Sequence, residues 1–217
     1  MPKPVKTLIA ILLLPFCYGA FRAVLRVLQA SGQWEGFLVA WLGGISCWLV
    51  IYLLLPRPMW MYVFGHELTH VLWGWIFGAR VKRFKVTSRG GHVVLTRSNF
   101  LVALAPYFFP LYAVLVVGGF AVGHWIWGWH EFQVWFHWLT GVAYGFHITL
   151  TWQVLQTEQS DLTSQGVFFS MVVIFLGNVV VLLLGLPLLT QQVGMGTALW
   201  WWWRESLEPI RWLIQAL

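Results

Sequence analysis

The chain has 217 residues, of which 59% are hydrophobic and only 9% charged, where soluble domains run at about a quarter charged. So little charge cannot cover a water-facing surface, which excludes an ordinary soluble enzyme and points to lipid as the solvent. The net charge of +6 is not a nucleic-acid footprint: six of the 13 basic residues fall within residues 80–97, and in a membrane protein such a cluster reads as a cytoplasmic loop.

About 20 mostly apolar residues cross a hydrocarbon core as a helix, and the chain offers about six such stretches. The first is 7–29, with Pro15 inside it and with Arg22 and Arg26 placed to reach an interface. Its basic start and apolar run imitate a signal peptide, but it reads as an uncleaved first span. The second is 36–55, closed by Pro56-Arg57-Pro58, and the third is 59–79. Residues 81–97 then alternate and carry turn glycines after Arg89, which predicts a β-hairpin. Its unpaired edge cannot face lipid, so it belongs at the membrane surface or in a protein-lined cavity.

The fourth span is 99–123, interrupted by Pro106 and Pro110. An aromatic stretch over 125–138, with His124, His130, Glu131 and His137, suits an interface. The fifth span is 139–157 and the sixth 167–190. The tail over 194–217, with Trp200 to Trp203 and Arg204, reads as an amphipathic helix lying on the membrane. The fold class is therefore an all-α polytopic membrane protein with a small β-hairpin. It is read as one membrane domain over 1–217, with its core at 59–185. Cys17 and Cys47 lie inside apolar runs and match no zinc-thiolate spacing.

The third span carries the chemistry. His66 and His70 are four apart, so both imidazoles lie on one helical face and can reach one metal ion. Glu67 follows directly and can take a proton from water as a general base. Each charged group at mid-span costs about 2.5–3.5 kcal/mol on insertion scales, so such residues normally face a cavity or an ion. The bland alternative is that His66, Glu67 and His70 are hydrogen-bonded partners between helices.

A catalytic zinc takes three protein ligands and keeps one position open. Asp161, just before Gly166 and the sixth span, is the first choice for the third ligand. Its rivals are Glu158, three residues earlier, and His147, which lies mid-span. His147 could instead serve an oxyanion or a neighbouring backbone group.

The run Phe64-Gly65-His66-Glu67-Leu68-Thr69-His70 on a membrane helix resembles the site-2 protease class of intramembrane zinc metalloproteases. The hairpin after that helix is similar to that class, and Ser160-Asp161 looks like the Ser-Asp pair of its short bacterial branch. The Asn-Pro-Asp-Gly type motif of better-known members is absent. The resemblance implies Zn2+ held by His66, His70 and Asp161, with Glu67 as catalytic base. It also implies a transmembrane protein or peptide as substrate, unwound before cutting and paired to an edge of the hairpin. The setting would be a lipid bilayer, the inner membrane of a bacterium. The competing expectation is a non-proteolytic membrane subunit that keeps the motif and associates with other membrane subunits.

Overall fold

The computed structural model describes residues 2–30, 35–87 and 90–216. These form α-helices, one 3-10 turn at His130–Phe132 and one two-stranded antiparallel sheet. They divide into two compact units, one of Glu35–Gln159 and the other of Met1–Trp34 with Ser160–Leu217.

The first unit contains α2 (Glu35–Leu54), α3 (Met59–Ile76), β1 (Val81–Thr87), β2 (Gly90–Leu95), α4 (Phe100–Phe108), α5 (Leu111–Trp127) and α6 (Gln133–Leu155). Helices α2 and α6 pack backbone to backbone. Gly44 lies on the carbonyl of Trp138 and Gly141 on that of Trp41, and a Cβ at either glycine would collide with the oxygen. Small residues at such crossings let helices approach without a hydrophobic driving force. Trp48 Nε1 donates to Thr149 Oγ1 across the same pair at 2.8 Å, and Trp48, Tyr62, Phe146 and Leu150 form the buried cluster beside it.

The predicted fourth span is two helices, α4 and α5, bent by 75°. The two prolines account for the break. Phe109 precedes Pro110, whose ring drives its neighbour out of the helical region; Phe109 is extended at φ −97°, ψ 105°.

The hairpin forms over the predicted residues, with Phe84 opposite Val93, Lys85 opposite His92, and a bulge between Val81 and Arg83. The predicted turn at Arg89 lies outside the described residues. The hairpin runs alongside α3 instead of projecting from its end. Leu95 packs on Gly74, Gly91 packs on Val63 and Glu67, and Phe84 meets the Phe64 ring edge-on at 6.2 Å. From residue 74 back to 64 is about 15 Å of helix.

The second unit contains α1 (Lys3–Ala30), α7 (Ser160–Gln165), α8 (Val167–Thr190), α9 (Met195–Ser206) and α10 (Glu208–Ala216). Arg22 and Arg26, expected to reach an interface, also pair with Glu205, at 3.5 and 2.6 Å, while their side chains stay 45% and 33% exposed. The Glu205 side chain is 0% exposed, so its carboxylate requires those partners. Gly19 lies against the Ser206 backbone, and Trp202 Nε1 donates to Phe16 O at 3.0 Å. The tail is thus two helices. Helix α9 is packed, burying Ala198, Glu205 and Ser206, whereas α10 buries no residue.

Among the described residues, three helices are long and apolar enough to cross a membrane, Lys3–Ala30, Gly36–Leu54 and Val167–Thr190, or four if the bent α4–α5 pair is one span. These lengths are consistent with a membrane-embedded protein. Helix α3, at 18 residues, carries His66, Glu67, Thr69 and His70, which lower its hydropathy. Helix α6 begins at Gln133, before the predicted 139, and carries His137, Thr140, His147 and Thr151.

Candidate metal centre

Helix α3 stacks His66 and His70 one turn apart, their ring centroids 5.0 Å from each other at 80°. One ligand nitrogen on each lies within 4.8 Å of the other. Both rings are therefore near enough for a shared ion. Glu67 and His70 are buried, at 6% and 8% exposure, and His66 is half-buried.

The surrounding residues make that placement possible. Gly65 has the ring of Tyr112, from α5, directly across it; a Cβ there would come within 2.8 Å of the ring. Tyr112 Oη donates to Met61 O at 2.6 Å, which pins α5 to α3 just before the motif. Thr69 Oγ1 donates back to Gly65 O at 2.7 Å, so its hydroxyl is satisfied within the helix. The His66 ring packs edge-on against Tyr107 at 5.1 Å and tilts against Tyr62 at 5.9 Å.

His70 Nδ1–H donates to the backbone carbonyl of Val102, in α4, at 2.8 Å. A neutral imidazole that donates from Nδ1 carries its lone pair on Nε2. Metal-ligating histidines are held this way, their second nitrogen donating to a carbonyl or carboxylate that fixes tautomer and ring orientation. The donor set therefore fits a borderline-soft divalent ion such as zinc.

On one side of His66 is a cavity of about 20 Å3, lined among others by Tyr62, Thr69, Pro106, Tyr112 and His147. That is room for one water molecule. His147 is buried at 6% exposure and reaches this cavity from α6. Glu67 lies about 100° around the helix from His66, where the hairpin covers it. A Cβ on Gly91 would stand 2.8 Å from Glu67 Cγ and 2.9 Å from Val63 Cγ1.

The other candidates are placed as follows. Asp161 is in the first turn of α7, half-buried, in the second unit. Helix α7 is anchored there: Lys6 Nζ donates to Gln165 Oε1 at 2.7 Å, and Ser170 Oγ to Leu162 O at 3.1 Å. Glu158 is exposed in the connector between α6 and α7. His92 is in β2 opposite Lys85. His124 and His130 are exposed, with rings 4.3 Å apart, and His137 stands edge-on to Phe37 at 5.0 Å.

Sequence reading passed over two contributors. The Val102 carbonyl is a backbone group and leaves no side-chain signal. Gly91 was read only as a turn residue, although a glycine pair in a hairpin also permits close approach of another element. No protein-family model, curated protein or solved structure matches this chain.

Proposed function

We propose that the chain is an intramembrane zinc metalloprotease that hydrolyses peptide bonds in or near transmembrane segments of other proteins. The observation that carries this reading is the pair His66 and His70 on α3, half-buried and buried, with His70 Nδ1 held by Val102 O and Glu67 buried beside them. In this reading α3 and α6 also cross the bilayer, which brings the spans to six and puts the motif at membrane depth. The basic hairpin then faces the cytoplasm.

His66 and His70 hold the ion; the third ligand is the one that the sequence resemblance implies, Asp161. Zinc, when bound, supplies Lewis acidity that brings the pKa of water toward about 7. Glu67 then receives a proton from water as it adds to the scissile carbonyl carbon, and returns a proton to the departing amine as the C–N bond breaks. Packing of Glu67 under the hairpin excludes bulk water from that carboxylate. The hairpin's outer edge offers backbone groups to a substrate segment that has lost its helix.

The deciding experiment is elemental analysis of protein purified without chelator, alongside cleavage of a reconstituted transmembrane substrate. Wild type is expected to carry one zinc per chain and to cut; His66→Ala is expected to do neither. A wild type without zinc overturns the reading. Zinc retained without cleavage of any transmembrane substrate would favour a non-proteolytic membrane subunit.

A further inference from the structure

Residue 106 of an uninterrupted α4 would donate its backbone N–H to the carbonyl four residues back, that of Val102. Pro106 has no N–H, so this helical bond does not form. The carbonyl it leaves is the one that accepts from His70 Nδ1 at 2.8 Å. The amide of the same residue is also held, since Val102 N donates to Asn99 Oδ1 at 2.9 Å at the helix N-cap. Val102 is thus fixed by the cap on one side and turned outward to His70 on the other. It is 1% exposed, so solvent does not supply an alternative partner.

We propose that Pro106 is a positioning residue of the metal centre. By removing the helical donor from Val102 O, it reserves that carbonyl for His70, holds the proton on Nδ1 and leaves the lone pair on Nε2 toward the ion. The inference rests on the metal-site reading for the role of Nε2, but the hydrogen-bond exchange itself does not. A carbonyl has two lone pairs, so an N–H restored at residue 106 would compete with His70 instead of displacing it. The expected loss is therefore at the low end of what a lost outer partner of a ligand costs, about tenfold in metal affinity.

Pro106 also lines the cavity beside His66 and precedes the bend at Phe109, so the ring must be separated from the missing donor. Two replacements do this in the full-length protein. Pro106→Ala removes the ring and adds an N–H. Lactic acid at position 106, incorporated by nonsense suppression, also removes the ring but puts an ester oxygen where the N–H would be. Zinc affinity is read by competition with a chromogenic chelator. Pro106→Ala is expected to bind zinc about tenfold more weakly than wild type, and the lactic-acid protein to recover most of that loss. Equal weakening in both, or none in Pro106→Ala, would overturn the proposal. A measurement on wild type needs no variant: nitrogen NMR of labelled histidine in metal-free protein should find His70 protonated at Nδ1. A His70 protonated at Nε2 would overturn the proposal as well. Wild type that shows the Nδ1 proton but binds no zinc would instead overturn the metal reading and leave the hydrogen-bond exchange standing.

Discussion

Two of the places where the described residues bury ionisable side chains differ in composition. In the unit built on α1, α8 and α9, the carboxylate of Glu205 meets the guanidinium groups of Arg22 and Arg26. In the unit built on α2 to α6, α3 buries Glu67 and His70 one turn apart, with His66 beside them. The first cluster brings opposite charges together, and its evident effect is to fasten α9 to α1. The second gathers imidazoles that offer lone pairs and a carboxylate that can take a proton. Burial of charge alone does not mark a working site. What separates the two is whether the side chains neutralise one another or present donors to a third party.

That contrast is open to tests of decreasing size. Glu67→Gln should lower cleavage of a transmembrane substrate by about 10²–10⁴-fold, the usual contribution of a general base, while elemental analysis still finds zinc. Cleavage at the wild-type rate would remove Glu67 from the chemistry and make the two clusters alike. Glu205→Ala should act in the opposite way. The Arg22 and Arg26 side chains, 45% and 33% exposed, keep part of their hydration when the carboxylate is removed, so the fold should lose about 1–3 kcal/mol, read as a lower unfolding midpoint in detergent, with zinc per folded chain unchanged. A metal loss that tracks Glu205 with no loss of stability would blur the distinction.

Smaller effects test the cover over Glu67. Gly91→Ala places a Cβ against Glu67 Cγ, Val63 Cγ1 and the Lys85 carbonyl, and overpacking of this kind costs about 1–3 kcal/mol. Cleavage rate and hairpin protection from proteolysis should both fall; unaltered values would mean that the hairpin stands off α3 in the membrane. Phe84→Ala removes one edge-on aromatic contact to Phe64, and the expected loss is about 0.5–1.5 kcal/mol. Its readout is faster hydrogen exchange at β1 with zinc content unchanged.

Much was legible from local chemistry. The apolar runs located α1, α2 and α8 because about 20 consecutive apolar residues suffice for a helix long enough to cross lipid. The i, i+4 spacing placed His66 and His70 on one face because a helix repeats every 3.6 residues. Alternation with glycines marked the hairpin, and Pro106 with Pro110 marked an interruption. Other features depended on partners distant in the chain. The pairing of Arg22 and Arg26 with Glu205 was not legible because Glu205 lies about 180 positions away, and no local pattern couples them. The angle at Phe109 follows from the prolines, but which helix the bend would serve does not.

The sequence by itself determined the apolar character of this protein, the kinds of its elements and the residue types of its motif, since hydropathy, periodicity and side-chain type are properties of neighbouring residues. Tertiary structure decided that the hairpin folds back over Glu67, that His147 shares a cavity with His66, and that a backbone carbonyl orients His70. Each of these is a contact between segments brought together by packing; the hairpin approaches α3 at Gly74 and Gly91, and α5 approaches it at Gly65. A carbonyl is common to every residue. Only the fold, with a proline four residues later, made the one at Val102 a partner for His70.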